Sequence, residues 1–163
     1  MFSSKIMVST PIKFIYVIVA VFCLRMIYMM FFRKLTRVED YIYRSNSWIR
    51  FFQMYDRALQ VLQRGIQNGD LSDYEVQRLY FAAGIVYSLK RDYARAVECF
   101  ERLDIFWQRE RIDFDPNYYD MLVCYANAGK RKRARDLYRM LLKQEKYDPR
   151  YAELRALESR INP

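Results

Sequence analysis

Hydrophobic and polar positions divide the chain into two regimes. Between Phe14 and Phe32 every residue is apolar or aromatic except Arg25, and no polar stripe interrupts the run. Its nineteen positions make roughly 28 Å of helix, close to the hydrocarbon thickness of a bilayer. From residue 39 onward the pattern is amphipathic with a helical period. Ile42, Trp48, Ile49, Phe52, Leu59 and Leu62 are the apolar positions of residues 39–66, which read either as one long helix or as a degenerate first repeat. Gly65 to Asp70 reads as a turn. Ser72 and Glu75 form an S-x-x-E capping box, so a helix is predicted from about Asp73 to Lys90. Arg91-Asp92 is the turn before a partner helix over Tyr93–Leu103, and residues 105–114 extend that helix or form a loop. Asp115-Pro116 is the next start signal, with Asp as N-cap, and Gly129 closes that helix after Ala128. Arg131–Lys143 is its partner. Asp148-Pro149 opens a last helix over Arg150–Arg160, with Tyr151, Leu154, Leu157 and Ile161 on one face and charges on the other.

One residue pattern occurs twice. Tyr80, Ala83, Gly84 and Tyr87 are followed by Ala96 and Phe100; Tyr118, Met121, Leu122 and Tyr125 are followed by Ala134 and Tyr138, each 38 positions later. Ala58 and Leu62 stand 38 positions before Ala96 and Phe100. Small residues at 84 and 96 let two antiparallel helices approach, and the aromatic residues fill the space around the contact. Residues 72–161 thereby resemble the tetratricopeptide repeat superfamily, most specifically at Tyr80–Phe100. The second copy is also similar to a pentatricopeptide repeat in Tyr125, Ala128-Gly129-Lys130, Ala134, Leu137-Tyr138 and Asp148-Pro149. The resemblance implies an all-α solenoid of two to three helix pairs plus a capping helix. It implies protein or peptide binding for the first family and single-stranded RNA reading for the second. It also implies a groove lined by the first helix of each pair. Mapping by the signature places Arg78, Phe81, Ile85 and Ser88 there, then Tyr119, Val123 and Asn127. These are mostly apolar or aromatic, so an apolar helix or strand is the expected guest, unless the anchor-proximal helix or a neighbouring subunit fills the groove permanently.

The leading segment carries bases and no acids: Lys5, Lys13, Arg25, Arg33, Lys34 and Arg37 all precede the first acid, Glu39. A cleaved signal would need a small-x-small site after the apolar core, and residues 20–30 offer none. A lipoprotein reading would use Cys23, but Phe22 before it is too large. The run therefore reads as a retained transmembrane helix, about 14–32. Arg25 either snorkels to an interface or pairs with an acid or headgroup belonging to a partner. The one-base excess on the carboxyl side leans towards the globular part lying on the positive side of the membrane. The mitochondrial inner membrane is the favoured site, with a bacterial cytoplasmic membrane as alternative.

Composition narrows the chemistry. The 163 residues are 53% hydrophobic and 17% aromatic with only 4 Gly and 4 Pro, which suits long helices and short turns. Net charge is +9 and there is no His, so imidazole acid–base and metal chemistry are excluded. Cys23, Cys99 and Cys124 form no C-x-x-C pair, and the last two fall on apolar helix faces. No phosphate loop, G-x-S-x-G or metal-ligand spacing occurs; no enzymatic activity, metal or cofactor is expected. The basic run Lys130, Arg131, Lys132, Arg133 and Arg135 is a solvated turn, a contact to anionic lipid or an acidic partner, or a nucleic-acid patch. The last is least favoured, because no aromatic side chain lies within it for stacking.

The expected organisation is residues 1–38 with the anchor, 39–71 as a connecting helix or degenerate repeat, and 72–163 as the repeat domain. The expected function is that of a membrane-anchored scaffold, accessory or assembly subunit acting through protein–protein contacts within a larger membrane complex. An RNA-associated organellar protein and a free-standing membrane-anchored peptide adaptor are the alternatives.

Overall fold

The computed structural model describes residues 10–28, 34–103 and 107–161. The chain divides into two units, residues 1–34 and 35–163. The described part of the first is one helix, α1 (Thr10–Ile27), whose described side chains from Phe14 to Arg25 are all exposed. Among the described residues no helix is long and apolar enough to cross a membrane. The expected transmembrane helix is thus not supported there. α1 has 18 residues, begins with Thr10 and Pro11, and carries Lys13 and Arg25 near its ends. Met29–Phe32, the last positions of the expected span, lie outside the described residues, as do Lys5 and Arg33.

The described residues of the second unit are helical throughout, with no strand. Three hairpins follow in order: α2 (Val38–Phe52) with α3 (Tyr55–Ile66), α4 (Asp73–Leu89) with α5 (Tyr93–Phe100), and α6 (Tyr118–Asn127) with α7 (Arg131–Leu142). Residues 39–66 are therefore two helices. The break falls at Gln53, whose φ of 54° is left-handed. The same conformation recurs at Arg91 (φ 61°) and Gly129 (φ 78°), each 38 positions on, at the turn of each hairpin. Only the last is the glycine that this conformation favours. Starts are capped locally. Asp40 accepts from the Arg37 amide at 3.2 Å, Ser72 and Glu75 make the expected reciprocal box, and Asp92 accepts from the Arg95 amide.

Packing follows the repeat. Ala58, Ala96 and Ala134, at one repeat position, are all fully buried, as are Leu62 and Phe100; Tyr138 is nearly so. A Cβ placed on Gly84 would lie 2.7 Å from Cδ1 and Cζ of Phe100, so hydrogen alone fits where α4 meets α5. The first helices pack on one another, α2 on α4 and α4 on α6. Among the described residues the second helices α3, α5 and α7 do not do so to a comparable extent. An aromatic chain knits the hairpins together: Phe81 lies 5.9 Å from Phe100 and 5.7 Å from Tyr118, and Phe100 lies 6.2 Å from Tyr125.

Two segments differ from expectation. Asp115 does not cap α6; its carboxylate takes the backbone and side-chain amides of Asn117 at 2.8 and 2.7 Å, and the helix begins only at Tyr118. The terminal helix is mostly 3-10 (Pro149–Leu157), ending in a short α8 (Glu158–Ile161). Its buried residues Tyr151, Leu154 and Leu157 are spaced by three, the interval that aligns side chains in a 3-10 helix. This end covers α6 and α7. The connector before α6 is pinned from there. Gln144, in the 3-10 turn Lys143–Lys146, accepts from the Ile112 amide at 3.2 Å and donates to the Glu110 carbonyl at 3.1 Å; the Tyr151 hydroxyl donates to the Ile112 carbonyl at 2.9 Å.

Candidate functional site

Contact between first helices leaves a cavity of about 600 Å³ between α2 and α4, closed at one end by the start of α6. Ile42, Asn46, Ile49 and Arg50 face it from α2. Arg78, Phe81, Ala82, Ile85, Val86 and Leu89 face it from α4, and Asp115 and Asn117 from the turn before α6. The α4 side follows from helical spacing: 78, 81, 85 and 89 fall at i, i+3, i+7 and i+11, one stripe along the helix. The wall is mainly apolar. Its polar groups are largely engaged with one another. Arg78 donates to Glu39 of α2 at 2.7 Å, a hydrogen bond that holds the Glu39 carboxyl below its usual range, and Asp115 is turned onto Asn117. Of the lining residues Leu89 is 50% exposed; Phe51, Phe52 and Met54 at the α2–α3 turn are about equally exposed. Such side chains normally mark a contact surface when they cluster.

Of the residues expected in the groove, Arg78, Phe81 and Ile85 come together here. Ser88 is half-buried and does not line the cavity. Tyr119 is half-buried against the main core. Val123 and Asn127 line a separate cavity of about 260 Å³ with Arg131 and the terminal residues Ser159, Arg160 and Ile161. The terminal segment covers that stretch of α6, so the expected continuous groove is two cavities. The α2 wall was absent from the sequence reading, as were Leu89, Asp115 and Asn117. The 38-residue offset could have supplied part of it, since Ile42, Asn46 and Ile49 stand 38 positions before Tyr80, Gly84 and Tyr87. The anchor-proximal helix α2 forms a wall of the cavity and does not fill it.

Arg25 lies in the last turn of α1, exposed. Within the basic run, Lys130 pairs with Glu101 at 2.7 Å. Arg131, Lys132 and Arg135 have no acid partner among the described residues. Burial pushes the Cys99 thiol up to about 11 and raises that of Cys124. Among the described residues no cluster of His, Cys, Asp or Glu could hold a metal ion. No protein-family model, no curated protein and no solved structure matches the chain.

Proposed function

We propose that this chain is a membrane-held scaffold or assembly subunit: a short stack of tetratricopeptide-like hairpins that takes an apolar segment of another protein between α2 and α4. The observation that carries the reading is the α2–α4 cavity, with apolar walls and an exposed apolar rim at Leu89. Its volume lies within the range of sites that hold small ligands, enough for a few anchoring side chains of a helix or strand. Of the two arginines on its wall, Arg78 is already committed to Glu39, and the rest of the wall apart from Arg50 is mainly apolar. The membrane half of the reading rests on the uninterrupted apolar run from Phe14 to Phe32 and on the exposure of its side chains along α1. Arg25 is then either a snorkelling residue or a pairing site within the complex. The mitochondrial inner membrane remains the favoured location within this proposal.

The test uses the full chain expressed in its own membranes. It should stay in the pellet through alkaline carbonate washing. After mild detergent it should migrate on native gels as part of a species well above its own 20.0 kDa plus a micelle. Ile85→Asp with Leu89→Asp should release it from that species while leaving it in the membrane. Release from membranes by carbonate would overturn the anchor. Unchanged migration of the double variant would overturn the groove.

A further inference from the structure

The helical period re-sorts the basic run. Lys130 is paired with Glu101 at 2.7 Å, and Arg133 falls on another side of the helix from Arg131 and Arg135. Arg131, Arg135, Arg139 and Lys143 instead follow one another at every fourth position. They make a row along α7 and into the 3-10 turn after it, beside the buried face of Ala134, Leu137, Tyr138 and Leu141, with Arg131, Arg139 and Lys143 exposed and Arg135 half-buried. Lys132 stands beside that row. At about 1.5 Å per residue the charges are roughly 6 Å apart and the row is roughly 18 Å long.

Two observations bear on this row. Among the described residues Arg131, Lys132, Arg135, Arg139 and Lys143 have no carboxylate within ion-pair range; Arg50, Arg64, Arg102 and Arg111 have none either, but they are not gathered along one helix. In addition, the first turn of α7 contains no acid, and Arg131 and Lys132 occupy it, at the positive end of the helix dipole. Mutual repulsion weighs against the row in the isolated fold, and the dipole weighs against its first turn while favouring Arg139 in the last. The row is open to charge from outside the chain.

The form of that charge is narrow. The row, with Lys132 at its side, is narrow. Asp136 borders it on α7, and Glu158 acts on the Tyr138 hydroxyl of the same helix, so a plane of anionic headgroups would meet acids as well as bases. No aromatic side chain stands in the row to stack a base. A helix with carboxylates at every fourth position repeats at the same rise, and each Arg fork can take one in two-point geometry. We propose that the α7 ridge docks an acidic α-helix of a partner protein through ion pairs at successive turns. This site is separate from the α2–α4 cavity and does not depend on the anchor.

The experiment uses the full chain in phosphatidylcholine nanodiscs. The probe is a fluorescent alanine-based helical peptide with Glu at every fourth position, alongside the same peptide with Gln. The Glu peptide should bind and the Gln peptide should not, with affinity falling between about 0.05 and 0.2 M salt. Arg135→Gln with Arg139→Gln should weaken binding at least about fivefold. Lys130→Gln with Arg133→Gln should change it less than about twofold, since Lys130 is paired with Glu101 and Arg133 falls on another side of the helix from Arg135 and Arg139. Arg135→Lys with Arg139→Lys keeps the charge and should retain most of the binding, which guards against loss through misfolding. Equal weakening in the two Gln double variants would overturn the proposal. So would no binding of the Glu peptide, or tighter binding of oligouridylate RNA or of phosphatidylserine vesicles than of the peptide.

Discussion

Gly84→Ala tests the closest helix contact in the fold. Two opposing effects act. Ala is the better helix former by about 1 kcal/mol in a helix interior. Against that, the new Cβ would lie 2.7 Å from two ring carbons of Phe100, well inside ordinary contact. The ring cannot swing away freely: Phe100 is 1% exposed and is held between Phe81 at 5.9 Å and Tyr125 at 6.2 Å. Overpacking of this kind costs about 1–3 kcal/mol. The steric effect wins, and the net expectation is a loss of about 1 kcal/mol. The sharper expectation is a change of sign. In a Phe100→Leu background the ring edge is gone, and Gly84→Ala should stabilise by up to about 1 kcal/mol, the helix-propensity term alone. The coupling between the two changes is then the steric part. Urea unfolding of the full chain in mild detergent, followed by Trp48 and Trp107 fluorescence, reads both through the midpoint at constant slope. If Gly84→Ala stabilises the unaltered chain by about 1 kcal/mol, or behaves identically in both backgrounds, α4 and α5 do not meet as described.

Three further outcomes follow from the geometry. At the three hairpin turns, Arg91→Gly should stabilise by up to about 1 kcal/mol and Gly129→Ala should destabilise by a similar amount, because the same left-handed conformation is strained for a side chain and free for glycine; thermal unfolding midpoints of the two variants should move in opposite directions. Gln144→Leu leaves the Ile112 amide and Glu110 carbonyl without their partner and should cost about 2–3 kcal/mol, with hydrogen exchange at the Ile112 amide accelerating in step. Burial, the largest cause, pushes the Tyr125 hydroxyl from 10.0 up to about 12, so its protonated form is favoured by folding. That contribution, about 3 kcal/mol, is full below pH 10 and is lost as pH rises towards 12. Unfolding midpoints should therefore fall across that interval, and fall less in Tyr125→Phe.

How much of this was legible depended on whether a signal was local. The capping box at Ser72–Glu75 and the glycine stop at 129 specify their elements through neighbours three or four residues away, and the chain reads accordingly. The break between α2 and α3 did not read, because the residue that takes the left-handed turn there is Gln53, and glutamine carries no turn signal. Tertiary packing imposes the turn, and the recurrence at 53, 91 and 129 becomes visible only in backbone angles. The first hairpin also disguises its repeat: Ser45, 1% exposed, stands where the next copy has Ala83, small enough for the approach but polar in sequence. The connector before α6 had no local cue at all. Ile112 is buried by Gln144 and Tyr151, 32 and 39 residues away. The same division holds at the site. The α4 stripe was legible from its period, whereas the α2 wall depends on a hairpin that the sequence concealed. The basic run was read as contiguous, and only the helix period replaces Lys130 and Arg133 with Arg139 and Lys143.

The arrangement of hairpins gives the two candidate surfaces a common logic. First helices pack on one another, whereas the second helices α3 and α5 each pack on the first helix of the following hairpin. The cavity belongs to the first helices α2 and α4, where apolar side chains at the contact are only partly covered. The cationic ridge belongs to a second helix, α7, whose outer face no other hairpin covers. An apolar segment entering between α2 and α4 would approach away from a helix laid along α7, and the two demand opposite chemistries. One depends on burial and is insensitive to salt; the other depends on exposed charge and is screened by it. A stack of this kind can therefore hold two different polypeptides at once without either displacing the other, which a single continuous groove could not do. Bridging in this sense needs no movement of the stack, since α4, which walls the cavity, and α6, against which α7 packs, are joined by the Phe81 and Tyr118 rings.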